Sequence, residues 1–251
     1  GIAIDWIKRY EAVAKAFPNL RLSANSLRLN EDLINVLGIN AVFLPNIYMP
    51  VKPAPCLTSE DFEYDNQLNF RELVEDRSKT IDIGCFGAIR PLKNHLIQAM
   101  AAIAFGEKNG RRVRFHINGN RVEQTGAGNI LKNLRALYAG TKHELVEHAW
   151  MPHAEFIELV KTMDLGMQVS LSESFNIVVA DFIANDIPIV ASPDVDWISS
   201  LSQADPNSTD DIVKKLVRAW KGKLYNLQRV NRDALNQHNK HALKIWLDFL
   251  D

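Results

Sequence analysis

Two carboxylates, Glu173 in a polar bend and Asp181 in the apolar run that follows it, stand with seven residues between them. The bend reads Ser170-Leu171-Ser172-Glu173-Ser174-Phe175-Asn176. It follows a short, mostly apolar stretch, Asp164 to Val169, with the character of a strand. Ile177 to Ala184 is apolar and long enough for a helix, and Asn185-Asp186 breaks it. Ile187 to Ala191 is a second strand-like run with Pro188 near its start. A strand, a polar bend and a helix start together make an anion site, because the first N–H groups of the helix lack partners and its positive dipole end faces the bend. Carboxylates at such a place are suited to accept hydrogen bonds from sugar hydroxyls. In outline this is a site for a nucleotide sugar, although an ordinary α/β unit with a solvated Glu and Asp has the same pattern.

Other chemistry-bearing residues also fall just after strand-like runs. Ile81 to Phe86 leads into Gly87-Ala88-Ile89-Arg90-Pro91-Leu92-Lys93-Asn94 and a helix expected from about Asn94 to Phe105. A lysine there supplies a point charge to a phosphate. Val113 to Ile117 ends at Asn118-Gly119-Asn120, a turn that lets backbone come close to a ligand. Leu145 to Trp150 is followed by Met151-Pro152-His153. Three features are read as structural. His116 alternates within its strand as a packed or solvated residue. Thr125-Gly126-Ala127-Gly128 lacks both a preceding strand and a G-K-[ST] ending, and is expected to break the helical stretch 121–138. His148 and His153 have no third ligand at zinc spacing.

Ser172 to Ser192, SESFNIVVADFIANDIPIVAS, resembles the donor-binding signature of retaining, nucleotide-sugar-dependent group 1 glycosyltransferases, which have two Rossmann-like domains in the GT-B architecture. Their usual form is roughly S-E-S-F-G-L-x-x-x-E-A-M-A-x-G-x-P-V-V-A-S. Asn176 stands at the first glycine, Asp181 at the second glutamate and Asp186 at the later glycine. The segment 87–94 resembles the family's G-R-x-x-x-x-K-G, whose basic pair grips the donor diphosphate. Lys93 matches, Ala88 replaces the arginine, and Arg90 is the nearby substitute. The resemblance implies that Glu173 holds sugar hydroxyls and favours positive charge at the anomeric carbon, and that Lys93 neutralises the departing diphosphate. It implies that Asp181 takes the ribose hydroxyls with one methylene less reach, and that backbone around Ser174, Phe175, Asn176, Ile177 and Val178 cradles the phosphates. It also implies that Gly87 and Gly119 lie at the donor and Trp150 and Met151 beside the base, although an aromatic such as Trp150 is also a normal core residue there. The donor would be a UDP-, GDP- or ADP-sugar, the acceptor an unknown sugar or lipid, and no cofactor or metal is required.

The elements that must carry these residues alternate as strand and helix, which predicts an α/β fold: a Rossmann-like parallel sheet with helices on both faces. Ligands of such sheets bind beyond the carboxyl ends of the strands. The expected division is 1–50 as the tail of an N-terminal GT-B domain, 51–80 as linker, 81–225 as the donor-binding domain and 226–251 as closing helices. Ile4 to Phe17 has helical spacing, and a helix from Glu31 to Leu37 is expected with Asn30 as N-cap. Pro50, Pro53 and Pro55 punctuate the linker, and the acidic residues from Glu60 to Asp76 read as a solvated surface. Ala242, Ile245, Trp246 and Phe249 form a stripe that would brace the N-terminal domain or pack on the core.

The whole chain has 251 residues, 47% of them hydrophobic, and a net charge of −1 from 29 basic and 30 acidic residues. That is enough chain for a sizeable core, and the even balance argues against binding nucleic acid through its phosphates. Two cysteines, Cys56 and Cys85, make the reducing cytoplasm, including the cytoplasmic face of its membrane, the expected location. No run of eighteen apolar residues is present, no signal peptide is recognised, and the chain is expected to begin inside a fold. A homodimer or a missing N-terminal domain would cover the exposed face. An epimerase or phosphorylase of the same architecture, and a degenerate module that binds nucleotide sugar without transferring it, remain alternatives.

Overall fold

The computed structural model describes residues 2–17, 19–49, 80–120, 122–123, 127–221 and 226–251. The prolines of the expected linker, its acidic run, Cys56 and Gly126 lie outside the described residues. The chain divides into two compact units, Gly1–Tyr48 with Asn236–Asp251, and Met49–Leu235. Among the described residues, no helix is long and apolar enough to cross a membrane.

The smaller unit holds α1 (Ile2–Ala16), β1 (Ser23–Ala24), α2 (Leu27–Asn35) and β2 (Val42–Phe43). β1 and β2 pair in parallel, and Ala24, Leu33, Ile39 and Ala41 form a small core beside them. The helix expected from Glu31 begins earlier. Its N-cap is Ser26, not Asn30: Ser26 is extended, its Oγ accepts from the Leu29 N–H, and Asn30 is buried within the helix. Both residue types cap helices, so only the backbone geometry separates them. The last described helix, α8 (Leu227–Leu250), enters this unit from Asn236 onward. There the Trp246 indole donates to the Pro45 carbonyl at 2.8 Å. The Asn239 amide both accepts from the Tyr48 N–H and donates to the Tyr48 carbonyl.

The larger unit is built on a five-stranded sheet of β3 (Thr80–Gly84), β4 (Arg112–Ile117), β5 (Glu144–Glu147), β6 (Leu165–Gln168) and β7 (Ile189–Ala191). The strand order is β5-β4-β3-β6-β7 and every pairing is parallel. The connecting helices are α3 (His95–Lys108), α4 (Ala127–Tyr138), α5 (His153–Lys161), α6 (Ile177–Ala184) and α7 (Thr209–Trp220). On one face Ile81, Ile83, Val113, Phe115 and Ile117 pack with Phe105 of α3, Leu134 of α4 and Leu216 of α7. Gly128 sits inside the first turn of α4, so it does not interrupt that helix.

On the other face two glycines on neighbouring strands, Gly84 and Gly166, lie side by side. A Cβ on Gly84 would come within 2.8 Å of the Phe182 ring, and one on Gly166 within 2.6 Å. Their bare backbones form the hollow that lets α6 press its Phe182 onto the sheet. A polar chain runs along the same face. Asp82 receives both ends of the Arg114 guanidinium and lies 2.8 Å from His116 Nε2. His116 Nδ1 lies 2.8 Å from His148 Nε2, with the two rings stacked. Burial alone would raise the Asp82 carboxyl, but its His116 and Arg114 partners hold it below the usual carboxylate range. His116 is a packed residue of the sheet.

Candidate functional site

The strand order changes direction at β3. From there the chain runs outward through β4 and β5, and β6 then returns to pair on β3's other side. At such a switch point the loops after the two central strands diverge and leave a crevice beyond their carboxyl ends. Those loops are 85–94, after β3, and 169–176, after β6. They are joined where the backbone N–H of Leu171 donates to the Leu92 carbonyl at 2.8 Å.

Lys93 and Glu173 meet across that crevice. The lysine Nζ forms an ion pair with Glu173 Oε1, and the side chains are 16% and 10% exposed. Each backbone is fixed from behind. The Gln98 amide donates to the Lys93 carbonyl at 2.7 Å and accepts from the Val169 N–H at 2.8 Å. The Glu173 N–H donates to Asp194 Oδ2 at 3.2 Å. Gly87 has φ +115, and a Cβ there would stand 4.0 Å from the Lys93 side chain. The Lys93 charge also reaches the buried groups beneath it. His95, the first residue of α3, has both ring nitrogens buried without a partner. Burial and the Lys93 charge push it down to about 4. Burial pushes the Cys85 thiol up to about 12, against a lesser pull from Lys93.

The second loop turns into α6 through Asn176, which has φ 56. Its Oδ1 accepts from the Val179 N–H at 3.3 Å, and its Nδ2 donates to Gln168 at 3.1 Å. The N–H groups of Ile177 and Val178 occupy the first helical turn, where a helix offers donors without internal acceptors. Ser174 is half-buried beside them, and Phe175 is buried in a stack with Trp197, whose indole donates to the Phe175 carbonyl.

The remaining expected residues are placed differently. Ala88 is buried, and the Arg90 guanidinium lies 3.3 Å from Glu123. Gly119 is buried where a Cβ would come within 2.9 Å of the Glu147 side chain, so its smallness admits that neighbour. Trp150 is 68% exposed, not a core residue, and Met151 beside it is half-buried. The Asp181 side chain is 2% exposed, with Oδ1 3.0 Å from His153 Nε2. Sequence reasoning did not find His153, Asp194 or Gln98. Asp194 and Gln98 act through loops distant in the chain, and His153 carried a signal only in its place, just past the Trp150-Met151 segment. Among the described residues, no group of three or more His, Cys, Asp or Glu is arranged to hold a metal ion.

No family model matches the chain, and no curated protein matches it. Solved structures do. A trehalose-6-phosphate synthase studied with bisubstrate glycomimetics aligns over 84% of this chain and 52% of its own, with a TM-score of 0.59 and 14% identity. A mutant of TarM from S. aureus, in complex with fondaparinux, alpha-GlcNAc-glycerol and UDP, aligns over 91% and 43%, with a TM-score of 0.66 and 12% identity. A glycosyltransferase from Rickettsia africae aligns over 95% and 67%, with a TM-score of 0.61 and 15% identity. The fold is that of the GT-B glycosyltransferases. The chain spans about half the length of the first of these structures. Within the GT-B fold, the parallel sheet with helices on both faces agrees with the α/β reading of the sequence.

Proposed function

We propose that this chain is the donor-binding half of a glycosyltransferase that moves a sugar from a nucleotide-diphosphate sugar to an acceptor with retention. The observation that carries the reading is the pairing of Lys93 with Glu173 at the switch point of a parallel sheet. An ammonium and a carboxylate held together by separate loops can part toward different portions of one ligand. Lys93 then meets the diphosphate and the N–H groups of the α6 first turn add fixed positive dipoles, so that charge developing on the departing diphosphate is stabilised. Glu173 accepts from sugar hydroxyls and favours positive charge at the anomeric carbon. Trp150 and Met151 border the base, and Gly87 lets backbone approach the phosphates. Support comes from the fold shared with glycosyltransferases, one of them with UDP in its structure, and from the motif of Ser172 to Ser192.

A second reading, a module that binds the donor without transfer, is favoured by Ala88 and by the engagement of Arg90 with Glu123. Of the basic pair in the resembled pattern, Lys93 alone stands in place. Calorimetric titration with UDP, GDP and ADP tests the donor site common to both readings. Micromolar binding of one of the three is expected, and no binding of any would contradict the proposal. Transfer by a protein carrying both GT-B halves separates the two readings.

A further inference from the structure

We propose that His153, backed by Asp181, is the group that meets the ribose hydroxyls of the donor. The inference rests on the donor-site reading above and deepens it. The resemblance puts Asp181 where a longer glutamate would take the ribose hydroxyls, yet its side chain is only 2% exposed. A carboxylate so enclosed does not itself offer oxygens to a ligand. Its exposed partner is an imidazole: His153 Nε2 stands 3.0 Å from Asp181 Oδ1, and the His153 side chain is 49% exposed.

The pairing fixes the ring's chemistry as well as its position. With Nε2–H donating to the carboxylate, Nδ1 at the other side of the ring is an acceptor for a hydroxyl. Phe156 lies along one side of the imidazole, with centroids 6.5 Å apart and planes at 29°. The Asp181 backbone is held as well, its carbonyl accepting from the Asn185 amide at 2.8 Å. The histidine opens α5 directly after Trp150, Met151 and Pro152, the segment assigned to the base. A ribose lies next to its base, so a hydroxyl acceptor two residues past Met151 stands where ribose hydroxyls fall. The imidazole thus restores the reach that the shorter aspartate removes. The ligand class is a ribonucleoside diphosphate, as opposed to its deoxy counterpart.

The test compares UDP, GDP and ADP with their 2′-deoxy forms by calorimetry, on the unaltered chain and on His153→Ala, His153→Gln and Lys93→Ala. The unaltered chain is expected to prefer the ribonucleotide about tenfold, the worth of roughly one net hydrogen bond. His153→Ala should weaken the ribonucleotide to the level of the deoxynucleotide, while His153→Gln, which can still donate to Asp181 and accept from a hydroxyl, keeps part of the preference. Lys93→Ala should weaken both forms alike and leave their ratio intact. Melting curves of each variant confirm folding. A preference that survives in His153→Ala, or none in the unaltered chain, overturns the assignment to His153 and leaves the donor site standing. Absence of all nucleotide binding by the unaltered chain overturns both.

Discussion

At three positions where the backbone turns left-handed, the chain uses Asn or Asp in place of glycine. Asn94, Asn176 and Asp186 have φ 57, 56 and 60, and each stands at a glycine of the glycosyltransferase pattern. These two residue types tolerate that region best among those with a Cβ. Each also gains a bond that glycine could not make. The Asn94 amide donates to the Val169 and Pro206 carbonyls, Asn176 caps α6, and Asp186 pairs with Arg232. At these positions the chain thus reaches a left-handed backbone without glycine. Asn176→Ala, which loses the cap and strains the backbone, is expected to lower stability by about 2 kcal/mol, and Asn176→Gly by about half of that. Urea unfolding of the two variants checks the order. Equal losses would mean that the left-handed backbone contributes nothing.

His95 makes a prediction in pH. It is neutral when folded because burial and Lys93 push it down to about 4, while in the unfolded chain it titrates near its ordinary value of about 6.5. Between these values the unfolded state binds the extra proton, so stability rises with pH across the window and is flat above it. The His95 contribution, about 3 kcal/mol in full, is present above pH 6.5 and lost as pH falls toward 4. The difference in unfolding free energy between the unaltered chain and His95→Leu should therefore change with pH in that window and be constant above it.

At the scale of elements, close packing of α6 on the sheet depends on two glycines. Gly166→Ala drives a Cβ into Phe182 and Ile189 and should cost about 2 kcal/mol, the usual penalty of overpacking. Phe182→Leu in the same chain should recover part of that loss, a coupling that a double-mutant cycle measures by thermal or urea unfolding. Additive effects would contradict the packing account. The strands were legible because a parallel sheet buried on both faces writes itself as short apolar runs, such as Ile81 to Phe86 and Ile187 to Ala191. The cap of α2 was misplaced because Ser26 and Asn30 are both capping types. The Lys93 and Glu173 loops were legible one at a time, and their meeting follows from strand order, which no local pattern encodes. The same holds for His153 with Asp181 and for the Asp82, His116 and His148 chain, whose members are brought together only by tertiary packing.

At the scale of the molecule, the chain spans about half of the first solved structure that it matches. On the proposed reading this chain supplies the donor side of the reaction, and the acceptor is held by the other half of a GT-B enzyme. The isolated chain is therefore expected to bind donor without transferring sugar at a normal rate, which release of nucleoside diphosphate in the presence of simple sugar acceptors would measure. Rapid, acceptor-dependent release would contradict it.

On the proposed reading, Lys93 and Glu173 form the diphosphate and sugar ends of one donor site. Titration of the unaltered chain and of Lys93→Ala with the preferred nucleoside diphosphate and with its bare nucleoside decides this. Lys93→Ala is expected to weaken the diphosphate at least about tenfold, as loss of a charge-assisted bond should, and to leave the nucleoside unchanged. Equal affinity of both chains for the diphosphate would contradict it.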